Sequence, residues 1–325
     1  MSAGVPQGSV LGPILFIAFT ADMANNLPEF TVKAYADDTQ ILVDGRDVPE
    51  VKQKLQNAIA IAQNWFTRNS LQINPSKTEI LIVKNKRSSI GNCTIGVADG
   101  HSTIEIAPSP HIKILGVIID DELSWKQHIK QMKGRATNIV RHLARASNLL
   151  PRKAKRLLYD ALVCPHLSYA DVVWDGCLQQ QQMELQRVHN FAARVILGAE
   201  SRSPSEPILE ELGMVPLAEK RRIHQAVFMH KLINERGPAE LCNIMKPIQN
   251  NKGDRQSHPE GLRSSRTLFI KPVQHRTAKF ERSTMQRAAK AWNSVTPELR
   301  LIDDTTQFKN EVQREITRTY LRRCK

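Results

Sequence analysis

The sequence predicts an α+β fold: an antiparallel sheet carrying helices in the first third, then helices alone. Three observations support this. Up to about Ile119, apolar residues alternate with period two in short runs, interrupted by stretches of helical period. From Trp125 onward the period is helical. Charge divides at nearly the same place. Residues 1–110 hold 9 Lys+Arg against 10 Asp+Glu, and residues 111–325 hold 37 against 22, so the chain's net charge of +14 belongs to its second part. A localised basic excess of this size points to a polyanionic partner, nucleic acid ahead of an anionic membrane.

At 325 residues the chain is expected to form two or three compact units. Hydrophobic residues are 41% and charged residues 24%, the balance of a soluble globular protein. The longest apolar run, "VLGPILFIAFTA" from Val10 to Ala21, contains Pro13 and is too short to span a bilayer. It also lacks a basic leader and a small-residue cleavage site. Five widely separated cysteines show no zinc-ligand spacing, which fits a reducing intracellular compartment.

The elements follow in order. A helix is expected from about Pro13 to Asn25. "FTVKAY" and "TQILV" then alternate as two strands with only Ala36 to Asp38 between them, a tight hairpin with Asp37 and Asp38 at its turn. Asp47 and Glu50 form a capping-box pattern with Pro49 in the first turn. Val51, Leu55, Ile59, Ala62 and Phe66 continue at helical spacing to about Asn69. "TEILIV" (Thr78 to Val83) reads as a strand, "CTIGV" and "STIEIA" as a hairpin around "ADGH", and "IKILGVII" (Ile112 to Ile119) as one further strand.

Past Trp125, residues Ile129, Met132, Ala136, Ile139, Leu143 and Leu150 trace one apolar stripe. Helical segments are expected near 152–163, 178–197, 217–235, 281–294 and 306–322, with a polar loop over Gln249 to Arg266. The histidines, among them His101, His111, His128 and His142, suggest surface positions rather than a metal set.

Three Asp pairs occur. Asp120–Asp121 and Asp303–Asp304 precede helical patterns, where a carboxylate meets free N–H groups and the positive end of the helix dipole. Asp37–Asp38 has no helix to cap. Two carboxylates about 5 Å apart repel by about 3 kcal/mol at an effective dielectric of 20. A divalent cation turns that repulsion into attraction, and Mg²⁺ favours one or two carboxylates plus substrate phosphates. On this segment alone, a solvated turn and a metal site both stand.

The motifs upstream and downstream add a resemblance. "GVPQGSVLGPILF" followed by "YADD" resembles the reverse transcriptases of non-LTR retrotransposons of the jockey-like LINE type. "LQINPSKTEILIV" and "IKILGVIIDDELSW" continue it, the second resembling the primer-grip region. "PHLSYADVVWDGC", "LQRVHNFAARVILG" and "AAKAWNSVTPELR" look like the family's C-terminal extension. The resemblance implies a partial palm over 1–121, a helical thumb over 122–200 and a helical extension over 201–325. It implies two-metal transfer of deoxynucleotides from their triphosphates to a primer on an RNA template, with Mg²⁺ or Mn²⁺ as cofactor. Asp37 would be the palm-hairpin metal ligand and Asp38 its less essential neighbour. Tyr35 would support the primer end, Gln7, Gly8 and Ser9 the template and nucleotide, and Lys77 would approach the leaving pyrophosphate. The family's place of work is the cytoplasm and nucleus.

The family's catalytic set also needs an aspartate on a strand upstream of the glycine loop. This chain starts at Met1-Ser2-Ala3, directly before that loop, and Asp22, the only aspartate between the loop and the Asp pair, lies on the helix expected after it. The expectation is that the 325-residue chain alone does not polymerise. The rival readings are a non-catalytic nucleic-acid-binding remnant and, more remotely, a Mg²⁺ phosphohydrolase sited on the hairpin.

Between Glu122 and Asp160 there is no acid, and ten Lys or Arg. Lys126, Lys130, Lys133, Arg141 and Arg145 lie near one helical face, away from the apolar stripe. One-signed charge over this length favours phosphate contacts over an ordinary solvated face, which mixes signs. Five such contacts would give log K a slope of roughly −4.5 against log salt. A membrane-surface role fits less well, because the stripe reads as core.

Overall fold

The computed structural model describes residues 8–84, 93–98, 102–244, 269–270 and 277–323. The chain divides into two compact units, Met1–Leu123 and Ser124–Lys325. The first is α+β and the second is helical.

In the first unit, α1 (Gly12–Thr20) and a 3₁₀ turn at Met23–Asn26 replace the single helix expected to Asn25. The strands β1 (Thr31–Tyr35) and β2 (Asp38–Leu42) follow, then α2 (Val48–Arg68). The capping box of α2 is half as expected. Asp47 Oδ1 accepts from the Glu50 N–H at 2.9 Å, but the Glu50 carboxylate reaches back to the Arg46 N–H instead of that of Asp47. The 21-residue helix buries Ala58, Ile59, Ala62 and Trp65. Met23, Leu27, Val32 and Ile41 join the Ala58–Ala62–Trp65 part of this face in one cluster, and Ile80, Ile95 and Val97 join Ile59 in another.

The remaining strands are β3 (Ile95–Ala98), β4 (Thr103–Ile106), β5 (His111–Ile114) and β6 (Val117–Asp120). β3 and β4 pair as the expected hairpin, whose turn lies outside the described residues. Gln56 of α2 covers β3 with its side-chain amide: Nε2 donates to Gly96 O at 2.8 Å and Oε1 accepts from Gly96 N at 3.0 Å. A β-carbon at Gly96 would come within 2.8 Å of the Thr103 methyl, so that side chain would have to move.

Three expectations for this unit are corrected. Ile112 to Ile119 is not one strand but the β5–β6 hairpin, because Leu115 and Gly116 both take positive φ (46° and 88°), a two-residue turn that the glycine permits. Thr78 to Val83 forms no strand; its backbone makes only isolated bonds, such as Ser109 N–H to Ile80 O at 2.7 Å. The described strands form three separate two-stranded ladders rather than one sheet.

In the second unit the helices are α3 (Lys126–Arg145), α4 (Arg152–Leu158), α5 (Cys164–Ser168), α6 (Asp171–Trp174), α7 (Gln179–Leu197), α8 (Ser205–Glu211) and α9 (Leu217–Ile233). They continue with α10 (Ala239–Ile244), α11 (Ala278–Glu281), α12 (Thr284–Asn293), α13 (Pro297–Arg300) and α14 (Thr305–Arg323). Between α4 and α5 lies one π turn, Tyr159–Val163. Pro165 has no N–H to continue the α ladder there, and Cys164 N–H bonds Tyr159 O instead.

The helical stripe of α3 is buried as expected through Ile129, Met132, Ala136 and Leu143, with Val140 added and Leu150 beyond the helix. It joins α7 in a core around Tyr159, Trp174 and Leu185, and a second core forms around Trp292 and Phe308 between α9, α12 and α14. Asp175 ties the two together: its carboxylate bonds Arg221 and Gln225 of α9 and Arg287 of α12. The neighbouring Gly176 has no room for a side chain, since a β-carbon would overlap the Arg282 carbonyl oxygen. The polar stretch Gln249 to Arg266 lies outside the described residues.

Two further expectations change. Asp304 does cap α14, with Oδ1 accepting from the Gln307 N–H at 2.6 Å, but Asp120–Asp121 caps no helix. Asp120 ends β6 and its Oδ1 holds the Glu122 N–H, while α3 starts only at Lys126. His128, His189 and His230 are buried rather than on the surface, since imidazole is small and apolar enough to fill a core when neutral. Burial lowers the pKa of all three, and that of His189 to about 3.

Candidate active site and nucleic-acid interface

The β1–β2 hairpin pairs Thr31 with Leu42, Val32 with Ile41, Lys33 with Gln40, Ala34 with Thr39 and Tyr35 with Asp38. The turn is therefore two residues, Ala36 and Asp37, one shorter than the Ala36 to Asp38 expected, and Asp38 is already in β2. Ala36 takes φ 52°, as such tight turns require. Val32 and Ile41 pack on the α2 core, which fixes the register and leaves Tyr35 and Asp38 on the opposite, exposed face.

Asp37 and Asp38 are both exposed, and among the described residues neither carboxylate has a hydrogen-bond or ion-pair partner. Two free carboxylates at one turn fit a single hard cation, completed by water and phosphate oxygens. Among the described residues no third His, Cys, Asp or Glu joins them.

Gln7 lies outside the described residues. Gly8 takes φ 81° with open space around its α-carbon, and Ser9 Oγ accepts from the Gly12 N–H at 3.0 Å, so the serine starts α1. The α1 helix is apolar on all sides, and Ile14, Leu15, Ile17 and Phe19 remain exposed. Lys77 sits exposed in the 3₁₀ turn Pro75–Lys77, capped by Asn74.

On α3, Lys126, Lys130, Arg141 and Arg145 are exposed and have no described acid at ion-pair distance. Lys133 differs: its ammonium meets Glu184 of α7 at 2.9 Å. The expected basic face is present with four open cations and one that is already paired. The acid that pairs it lies 51 residues on, which helical spacing within α3 could not reveal.

Sequence reading missed a buried polar set in the second unit. Tyr159 donates or accepts at His189 Nδ1 over 2.6 Å, with both side chains fully buried, and burial pushes the Tyr159 hydroxyl pKa up. The Asp175 set was also missed. Its one signal was "YADVVWDGC", where two acids stand in an otherwise apolar run.

A family described as "Reverse transcriptase (RNA-dependent DNA polymerase)" matches residues 1–119. The RNA-directed DNA polymerase from mobile element jockey of Drosophila funebris is 30% identical over 280 residues, covering 81% of this chain and 30% of the relative. In Drosophila melanogaster, the probable RNA-directed DNA polymerase from transposon BS is 27% identical over 71% of this chain and 26% of its own length. That from transposon X-element is 24% identical over 76% and 27%. The chain thus spans under a third of the length of these relatives. No solved structure matches it. The family match ends at the first unit, whereas the jockey match runs on across most of the helical unit, and together they place the chain among the reverse transcriptases of jockey-type, non-LTR retrotransposons.

Proposed function

We propose that this chain supplies part of an RNA-directed DNA polymerase: the metal-binding hairpin of the palm and a helical thumb that holds the primer–template duplex. The observation that carries the reading is the Asp37–Asp38 turn, whose two carboxylates are exposed and unpaired at the tip of a hairpin anchored on α2. Residues 1–121 act as the partial palm, 122–200 as the thumb, and 201–325 as an extension that buttresses it.

In this reading Asp37 and Asp38 hold Mg²⁺, which when bound lowers the pKa of a primer 3′-hydroxyl and offsets phosphate charge. Tyr35, on the same face as Asp38, supports the primer end. The backbone at Gly8, open to solvent, admits a close approach by template or nucleotide, with Gln7 and Ser9 beside it. Lys126, Lys130, Arg141 and Arg145 bind phosphates of the duplex, which positions it without reading sequence.

The test compares polymerisation with duplex binding. A polymerase formed by joining residues 1–325 to the upstream part of a jockey-type relative should extend a primer on RNA with Mg²⁺, and Asp37→Ala should abolish extension while leaving duplex affinity within about twofold. Equal loss of both would make the hairpin a binding element and favour the non-catalytic reading.

A further inference from the structure

The last helix carries a second one-signed face. Over residues 305–325 the sequence holds six Lys or Arg and two acids. One is paired and the other is partly buried. Glu311 meets Arg314 at 2.5 Å. Glu315 turns toward a small cavity of Glu219, Arg222, Ser294, Thr319 and Tyr320, where burial raises its pKa. The opposite side of α14 packs Phe308, Val312 and Ile316 into the core, so its orientation is fixed.

What remains outward is a shallow open groove along α14, lined by Asn310, Gln313, Arg314, Thr317 and Arg318. Every lining side chain can donate a hydrogen bond and none is acidic. Arg314, Arg318 and Arg322 recur at four-residue intervals, a rise of about 6 Å per step along the helix. That step is comparable with the separation of successive phosphates along one strand. A solvated helix face of ordinary composition would intersperse free acids.

We propose that this face of α14 binds a single nucleic-acid strand through its phosphates, with Arg318 and Arg322 as its open cations, Arg314 beside them already paired with Glu311, and Asn310, Gln313 and Thr317 donating to sugar and phosphate oxygens. The proposal rests on the nucleic-acid reading above but on a different surface from α3. It gives the extension a task of its own: holding a strand while the thumb holds duplex.

The test is fluorescence anisotropy of a labelled single-stranded RNA with the 325-residue chain across a salt series. The triple variant Arg314→Gln, Arg318→Gln and Arg322→Gln alters exposed side chains of a helix that glutamine tolerates, and its melting curve checks the fold. With Arg314 already engaged by Glu311, the two lost phosphate contacts should make the slope of log K against log salt shallower by about 1.4. The fourfold variant Lys126→Gln, Lys130→Gln, Arg141→Gln and Arg145→Gln serves as comparison. An unchanged slope in the α14 variant alongside a reduced one in the α3 variant overturns this proposal and leaves the nucleic-acid reading standing. No RNA binding by the unaltered chain overturns both. If the α14 variant loses binding to phosphatidylserine vesicles but keeps RNA affinity, the face serves a lipid surface and the proposal is wrong.

Discussion

Tyr35 and Asp38 stand directly opposite each other across the last rung of the β1–β2 ladder, so ring and carboxylate leave the hairpin on one side. Val32 and Ile41, partners three residues back, leave on the other and lock into the α2 core. A one-residue slip would send Tyr35 and Asp38 toward the core and expose the two aliphatic side chains. The position of the acids is therefore set by the packing of Val32 and Ile41, some distance from any chemistry.

It follows that Ile41→Lys should disturb the site without touching it. Burying an ammonium on the α2 face is costly, and the hairpin should lose its register. Amide exchange at Tyr35 and Asp38 should rise at least tenfold in this variant, while Gln40→Lys, on the exposed face, should leave exchange unchanged.

Duplex binding should be less salt-sensitive than the count of basic residues suggests. With Lys133 engaged by Glu184, four open cations remain on the α3 face. Their contacts correspond to a slope of roughly −3.6 for log K against log salt. Glu184→Gln should release Lys133 and steepen the slope toward roughly −4.5, as read by a salt titration with an RNA–DNA duplex.

The Asp175 set should be the weak point for substitution in the helical unit. Asp175 and Arg221 are 1% and 4% exposed, and Arg287 shares the same carboxylate. Removing one side of a buried pair leaves uncompensated charge, which costs about 3–5 kcal/mol. Asp175→Ala should therefore lower the urea midpoint steeply, whereas Glu211→Ala, which breaks only the exposed pair with Arg152, should cost under about 1 kcal/mol.

Mild acid should destabilise the helical unit through His189. Its pKa is lowered to about 3 by burial, against an unfolded value near 6.5. Below about pH 6.5 the unfolded chain takes up a proton that the folded one refuses, so stability is full above that pH and falls as pH drops toward 3. The slope for one such histidine approaches about 1.4 kcal/mol per pH unit. His128 and His230 shift in the same direction. His189→Gln should flatten the pH dependence of urea unfolding between pH 6.5 and 4, and an unchanged slope would remove His189 as its source.

Local signals in the sequence were read where the chemistry is local. The hairpin around Asp37, the Asp47 cap of α2 and the buried stripe of α3 all follow from residues within a few positions of each other. The β5–β6 turn was missed because "ILGVII" is apolar throughout, so the period gave no sign that Leu115 and Gly116 reverse the chain. Contacts between distant residues were also hidden. Lys133 with Glu184, Tyr159 with His189 and Asp175 with Arg287 lie 30 to 112 residues apart and leave no local pattern. The short helices α5, α6, α8, α10, α11 and α13 were likewise missed, being too brief to show a period.

In the proposed function, Asp37 holds a divalent metal at the hairpin turn. The most direct test replaces Mg²⁺ with Fe²⁺ and ascorbate on the 325-residue chain, so that a bound ion cuts the backbone beside it, and maps the cuts by mass spectrometry. Cleavage should be confined to the neighbourhood of Tyr35 to Asp38, abolished by Asp37→Ala and suppressed by excess Mg²⁺. Cleavage that avoids the hairpin, or that persists there in Asp37→Ala, would contradict it.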